Sequence, residues 1–145
     1  MKIFLDVNVI LDVLAEREPW VEASATVLAL LDEMDEVEGV VAAHSITTLY
    51  YLTTKHVNRK KATAAMIDLL NLVSVAEVNQ EVILKALSLG WADLEDAVQG
   101  VCALEHGADF IITRDAGVFD SLSIPAVTPA EFLALLGTAE GEPED

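Results

Sequence analysis

Four aspartates stand where predicted strands end or predicted helices begin. They are Asp6, Asp93, Asp96 and Asp115. Asp6 follows the apolar run 3–5, Asp115 follows the run 110–114, and the other two open an amphipathic segment. In an open α/β sheet these positions face the binding crevice, so residues far apart in sequence can converge there. Carboxylate oxygens are ligands for hard cations, and the pattern therefore predicts a site for Mg²⁺ or Mn²⁺.

A cation held by carboxylates suits the hydrolysis of phosphodiesters. Such an ion lowers the pKa of a bound water, orients the phosphate and offsets charge on the leaving oxygen, so no protein nucleophile is required. The sequence contains no Gly-x-Ser-x-Gly elbow, Gly-rich phosphate loop, dinucleotide-binding turn or His-Glu-x-x-His helix. Its three histidines are scattered, and the single cysteine, Cys102, excludes an internal disulfide and a multi-cysteine zinc site.

Each aspartate also has an ordinary structural explanation. Asp6 could cap a helix, Asp93 and Asp96 could complement a helix dipole, and Asp115 could form a turn. The conjunction carries the metal hypothesis, because three separate segments deliver acids to the same predicted sheet edge. A cluster of like charges there costs stability unless cations neutralise it.

The elements that position these acids alternate between short β-branched runs and segments of helical period. Strands are predicted at 3–5, 40–43, 73–75, 110–113 and 126–128, with amphipathic helices between them. Asp6 or Asn8, Ser45, Asn79 and Asp93 are the predicted helix N-caps. Pro19 is predicted in the first turn of a second helix, which should stop at Glu38-Gly39. The alternation predicts an α/β fold, a three-layer α/β/α sandwich with a central parallel sheet.

The length of 145 residues suits a single domain, predicted to span residues 1–137. The acidic segment 138–145 is predicted to be a disordered tail. The chain reaches its first acidic residue after only three apolar residues, too few for a signal-peptide core or a membrane span. We therefore expect a soluble cytoplasmic protein that does not enter a membrane.

The net charge of the chain restricts the partners that it can bind. The chain has 25 acidic and 8 basic residues, a formal net charge of -17, which repels nucleic acid unless metal ions or a basic patch intervene. The best candidates to contact nucleic-acid phosphates are Lys55, Arg59, Lys60, Lys61 and Arg114, and a solvated helix end is the alternative explanation of this basic stretch. Trp20, Trp91, Tyr50 and Tyr51 are predicted to pack and not to stack on bases. The acidic surface also suits a basic protein partner.

Four blocks of sequence together resemble the PIN-domain family. They are FLDVNVILD at 4–12, SITTLYY at 45–51, DLEDA at 93–97 and GADFIITRD at 107–115. Their order and spacing extend the resemblance over about residues 2–130. The resemblance implies an α/β/α domain that cleaves single-stranded RNA with Mg²⁺ or Mn²⁺. Many small bacterial and archaeal members are VapC-type toxins paired with an antitoxin, and a homodimer is expected.

Carried over by position, the resemblance assigns the site residues. Asp6 becomes the first metal ligand, Asp96 the acid of the third block and Asp115 the acid after the fourth strand. Asn8 and Thr113 become polar supports.

The second block departs from the family pattern, because Thr48 occupies the position where the family usually has a glutamate. Asp93 or Glu95 could supply the lost carboxylate from the neighbouring helix. Alternatively, the domain has lost catalysis and binds a protein or RNA partner. A phosphotransfer domain of the receiver or haloacid-dehalogenase type also uses strand-end aspartates, but Asp6-Val7-Asn8 lacks the second aspartate and no strand-end lysine follows.

Overall fold

The computed structural model describes residues 1–140, with side chains to residue 137, and contains a five-stranded parallel sheet. The strands are β1 (Lys2–Leu5), β2 (Glu38–Ala42), β3 (Val73–Ala76), β4 (Phe110–Ile112) and β5 (Ala126–Val127). The helices are α1 (Val7–Leu14), α2 (Val21–Glu33), α3 (Ala43–His56), α4 (Arg59–Leu72), α5 (Gln80–Ser88), α6 (Leu94–Glu105) and α7 (Pro129–Glu140), with a 3₁₀ turn at Ala116–Phe119. The predicted α/β/α fold is confirmed.

The strand order β3-β2-β1-β4-β5 puts β1 at the centre of the sheet. The chain moves outward on one side through β2 and β3, then crosses to β4 on the other side of β1. A reversal of this kind opens a crevice beyond the carboxyl ends of the central strands. Leu5 pairs with Ile112, and the Asp6 N–H donates to the Ile112 carbonyl at 3.0 Å. The residues that follow β1 and β4 therefore lie side by side.

Alternate residues of the sheet bury their side chains in two separate cores. Ile3, Leu5 and Ile112 pack in the layer that includes α1 and α7, whereas Phe4 and Ile111 pack in the layer of α5 and α6. All five are fully buried, and burying one such side chain contributes about 1.5–3 kcal/mol. Because helices cover both faces of the sheet, these strands are apolar at nearly every position.

Three of the predicted helix caps are confirmed. The Asn79 side chain accepts from the Val82 N–H at 3.0 Å and starts α5, and the Asp93 side chain accepts from the Asp96 N–H at 3.2 Å and starts α6. Of the two candidates for α1, Asp6 is the cap.

The predicted cap at Ser45 is wrong. The second strand passes directly into α3 without a loop, so Ala42 occupies the cap position and Ser45 is buried inside the helix. The predicted helix end at Glu38-Gly39 is also wrong, because these residues begin β2. Pro19 precedes Trp20, the N-cap of α2, and so lies outside the helix in which it was predicted.

The C-terminal helix extends beyond the predicted domain boundary. Gly137 lies within α7, which continues to Glu140, so three residues of the predicted tail belong to a helix. Residues 141–145, which complete the predicted tail, lie outside the described residues. Within residues 1–140, no helix is long and apolar enough to cross a membrane.

Candidate active site

Asp6 is the buried centre of the site. It leaves β1, caps α1 by accepting from the Asn8 N–H at 3.3 Å, and is only 2% exposed. The Thr113 hydroxyl donates to Asp6 Oδ2 at 2.7 Å, and the Gln99 amide donates to Asp6 Oδ1 at 3.1 Å. Three different segments thus fix the orientation of one carboxylate.

Gln99 is a functional candidate that the sequence analysis missed. It is fully buried on α6, and its side-chain oxygen accepts from the Val7 N–H at 3.0 Å while its nitrogen donates to Asp6. Both ends of the amide are therefore satisfied, as a buried polar group requires. The available signal was one amide three residues after Asp96, among the apolar positions Val98 and Val101.

The hydrogen bonds to Asp6 leave room for one more ligand. A carboxylate offers about four lone pairs. Oδ1 accepts from two donors and Oδ2 from one, so a lone pair on Oδ2 remains. The Thr113 hydroxyl that donates to Oδ2 also accepts from the Asp115 N–H at 3.0 Å and so links Asp6 to the segment after β4.

The first turn of α6 brings further acids towards Asp6. Burial, together with the negative charges of Asp6, Asp93, Glu95 and Asp115, raises the pKa of Asp96 to about 6. The carboxylates predicted from separate segments therefore interact with each other. Uncompensated charge of one sign at a buried position favours a bound cation.

The oxygen ligands of this cluster fit a hard divalent ion. Within residues 1–140, no three His, Cys, Asp or Glu side chains lie close enough to enclose a metal ion. Mg²⁺ does not require such a cage, because it usually keeps several waters and binds one or two carboxylates together with substrate phosphates. The free lone pair of Asp6 and the neighbouring acids match that mode of binding.

A family model for the PIN domain matches residues 2–117. The chain belongs to the PIN-domain family. Ribonuclease VapC1 of Aquifex aeolicus (strain VF5) is 29% identical over 136 residues, which cover 90% of this chain and 92% of that protein. These similarities support a VapC-type PIN domain.

Solved structures share the fold at low sequence identity. VapBC-1 from nontypeable Haemophilus influenzae aligns with a TM-score of 0.68 at 16% identity, over 90% of this chain and 99% of that chain. Mycobacterium tuberculosis VapC20, described as a toxin that cleaves the sarcin-ricin loop, aligns with a TM-score of 0.67 at 14% identity, over 85% of this chain and 98% of that chain.

The second block of this PIN domain lies on α3, opposite the start of α6. Thr48, which the sequence analysis aligned with the family's usual glutamate, donates its hydroxyl to Glu95 Oε2 at 3.3 Å. Glu95 is half-buried, whereas Asp93 is exposed and accepts the capping hydrogen bond. Asp93 and Glu95, the two candidates to supply the missing carboxylate, thus have different surroundings.

Gly100, four residues after Asp96 on α6, does not leave space for a ligand. A Cβ on Gly100 would lie 3.2 Å from the Trp91 ring and 3.0 Å from a Leu122 methyl group, so the missing side chain admits close packing and not a ligand. An open cavity of about 330 Å³ lies nearby and is lined by Trp91, Ala92, Asp93, Asp96 and Val118.

Arg114 pairs with Asp12 and stacks on Trp20. Its Nε lies 2.7 Å from Asp12 Oδ2, and its guanidinium carbon stacks over the Trp20 ring at 4.0 Å. Asp12 is fully buried, and Arg17 approaches its other oxygen at 3.8 Å. The predicted contact between Arg114 and RNA stays a prediction, but this side chain has intramolecular partners.

The four other basic candidates are exposed at the junction of α3 and α4. They are Lys55, Arg59, Lys60 and Lys61. Lys55 Nζ lies 5.2 Å from the centre of the Tyr51 ring, and Tyr51 is 54% exposed. The prediction that Tyr51 is a packing residue is therefore wrong, because its position on α3 faces solvent. Trp91 does pack, with its ring 5.8 Å from that of Phe119.

Proposed function

We propose that this PIN domain is a metal-dependent endoribonuclease that cleaves single-stranded RNA. The observation that carries the proposal is the state of Asp6: a buried carboxylate, oriented by the neutral donors Thr113 and Gln99, among further acids. Groups of one sign held in place at a crevice are suited to binding an ion of the opposite sign. The similarity to ribonuclease VapC1 supports the reaction.

Asp6, Asp96 and Asp115 are the residues proposed to hold Mg²⁺ or Mn²⁺. The sequence also predicted Asp93 as a ligand, but we assign it to the N-cap of α6, which its side chain forms. The ion, when bound, would supply an acidic water, neutralise the scissile phosphate and stabilise the leaving oxygen. The protein's own contribution is orientation. Thr113 fixes Asp6 Oδ2 and the Asp115 backbone together, and Gln99 fixes Asp6 Oδ1, so the acids keep their positions when substrate enters.

The same face of α3 that carries Thr48 offers a route for the RNA strand. Lys55 is seven residues after Thr48, which is two helical turns or about 10 Å along one face. Tyr51 lies between them, exposed beside Lys55, and an exposed ring can stack on a base of any identity. Arg59, Lys60 and Lys61 would extend the contact to phosphates. We assign Arg114 to the fold, because Asp12 and Trp20 occupy its guanidinium.

Cleavage of a fluorescent single-stranded RNA tests the proposal. Wild-type protein with Mn²⁺ should cut, and EDTA should stop the cutting. Asp6→Asn should lower the rate at least about 100-fold, because second-shell changes alone cost 10–100-fold. Asp35→Asn, an equal change of charge at an exposed turn, should cut like wild type. Wild-type protein that cuts nothing, or Asp6→Asn that cuts equally well, would overturn the proposal.

A basic antitoxin is the proposed protein partner. The net charge of -17 favours a basic partner, and similar structures such as VapBC-1 are toxin–antitoxin complexes. Expression of the protein alone should be toxic to the cell, and co-expression of a neighbouring gene product should relieve the toxicity.

A homodimer is also proposed. Leu70 is 46% exposed and could contribute to it, whereas Leu69 is buried in the core. Light scattering after chromatography measures the oligomeric state.

A second candidate function is a non-catalytic module that binds a protein or RNA. Thr48 in place of the family's usual glutamate favours it, because one acid is absent from α3. Calorimetry distinguishes the two functions. If wild-type protein binds Mn²⁺ and Asp6→Asn does not, the result supports the nuclease function. If wild-type protein binds no Mn²⁺, the result supports the non-catalytic binding module.

A further inference from the structure

The acid missing from α3 has two candidate replacements, and their contacts separate them. Asp93 is exposed, and its Oδ1 accepts from the Asp96 N–H as the N-cap of α6. An N-cap needs a short side chain that folds back on its own helix. We therefore assign Asp93 to the N-cap of α6 and not to the metal site.

Glu95 reaches away from its own helix. Its side chain is half-buried and meets α3, where the Thr48 hydroxyl donates to Oε2 at 3.3 Å. Thr48 is the position at which the family usually has a glutamate. The carboxylate of Glu95 thus lies against the residue from which the usual carboxylate would extend.

A hard cation selects oxygen ligands of suitable charge and position, and the helix that supplies them is unimportant. Glu95 directly precedes Asp96 in the first turn of α6 and therefore lies next to an acid that is proposed to hold the cation. A threonine hydroxyl is neutral and cannot replace a carboxylate, but it can orient one by a hydrogen bond.

We propose that Glu95 supplies the carboxylate that the second block lacks and that Thr48 is its positioning residue. This inference rests on the proposed metal-dependent function. In this arrangement the additional carboxylate extends from α6 and not from α3.

Titration of the metal-free protein with Mn²⁺ in a calorimeter tests the inference without measuring activity. Glu95→Gln should weaken binding at least about 10-fold, whereas Asp93→Asn should weaken it less than about 3-fold, because asparagine caps a helix equally well. Glu81→Gln is the matched control: it removes the same charge from an exposed glutamate in the first turn of α5. Circular dichroism verifies that each variant is folded.

An exchange of positions sharpens the test. The double variant Thr48→Glu/Glu95→Gln returns the acid to α3 and should recover affinity to within about 3-fold of wild type. Thr48→Val keeps Glu95 but removes its hydrogen bond, and a loss of about 3-fold is expected. A double variant that binds no better than Glu95→Gln would overturn the assignment of Thr48.

The failure of this inference is distinguishable from that of the proposed function. If Asp6→Asn abolishes Mn²⁺ binding while Glu95→Gln binds like Glu81→Gln, only the role of Glu95 is overturned. If wild-type protein binds no Mn²⁺, the metal-dependent function itself fails.

Discussion

Asp6 and Asp12 stand six residues apart and are both buried, but they have opposite surroundings. Arg114 and Arg17 approach Asp12, and no aligned hydrogen bond to its carboxylate is present within the described residues. Within the part of the chain that the structure describes, the hydrogen bonds to Asp6 come from neutral groups, and the charge of Asp6 acts on the acids Asp12 and Asp96. Arginines of the chain neutralise Asp12, and we propose that a bound cation neutralises Asp6.

The difference shows how two buried aspartates near one sheet edge can have different roles. Asp12 holds α1 against the segment after β4, because its partner Arg114 adjoins Asp115 and stacks on Trp20. Asp6 keeps a free lone pair at the crevice. We therefore expect changes around Asp12 to alter stability, and changes around Asp6 to alter cation binding.

The largest effect on stability is expected from Arg114→Met. Removing one partner of a buried ion pair costs about 3–5 kcal/mol, and the partial exposure of Arg114 together with the nearby Arg17 brings the expected loss to about 3 kcal/mol. Urea unfolding of metal-free protein measures it. The variant Arg114→Met/Asp12→Leu should recover much of the loss, since an apolar pair leaves no unpaired charge. An unchanged midpoint for Arg114→Met would contradict a structural role.

The loss in Arg114→Met should shrink in acid. Burial raises the pKa of Asp12 above its usual 3.8, and the two arginines lower it, so removal of Arg114 raises it further. A carboxyl with a raised pKa is tolerated while it is protonated and costs stability as the pH rises through its folded pKa. The difference in unfolding free energy between wild type and variant should therefore be largest at neutral pH and smaller towards pH 4. A difference that grows in acid would contradict the assignment.

A smaller effect is expected from Thr113→Val, which keeps the shape but removes the donor to Asp6 Oδ2. Loss of a hydrogen bond to a charged group costs about 2 kcal/mol. Mn²⁺ affinity should also fall, by about 10–100-fold, because the carboxylate loses its orientation. Thr26→Val, which removes a hydroxyl bonded within its own helix, should change neither quantity appreciably. Equal behaviour of the two variants would show that Thr113 does not orient Asp6.

The smallest effect has the opposite sign. Removing the Asp96 charge should stabilise metal-free protein, because burial and four neighbouring acids raise its pKa to about 6. Asp96→Asn in EDTA at pH 8 should gain about 1 kcal/mol after allowance for solvent screening. The gain should vanish as the pH falls below the ordinary pKa, where the wild-type carboxyl is protonated. A destabilised Asp96→Asn under these conditions would show that the acids do not repel one another.

Sequence patterns predicted the features that depend on local periodicity and strand order. Apolar runs identified the strands, and their parallel arrangement implied that Asp6 and the segment after β4 would meet. The cap at Ser45 was wrong because a strand that enters a helix directly leaves no loop for a capping side chain. A glycine near a site, such as Gly100, can leave space for a ligand or permit a large ring to pack closely, and the sequence does not distinguish the two.

Side-chain partners across elements could not be predicted from the sequence. The bonds of Gln99 to the β1–α1 junction and of Thr48 to Glu95 join residues 93 and 47 positions apart, respectively. Arg114 adjoins Asp115 in sequence and was interpreted as an RNA contact. Its ion pair with Asp12 depends on the relative placement of α1 and β4, which a local pattern does not specify.

A crystal structure of the protein grown with Mn²⁺ tests the central claim most directly. Anomalous scattering should reveal an ion bound to Asp6 Oδ2, the oxygen with a free lone pair, and none beside Asp12. Glu95 should contribute to the same site. Full occupancy of the crevice by water, with no anomalous peak near Asp6 at a saturating concentration of Mn²⁺, would contradict the account.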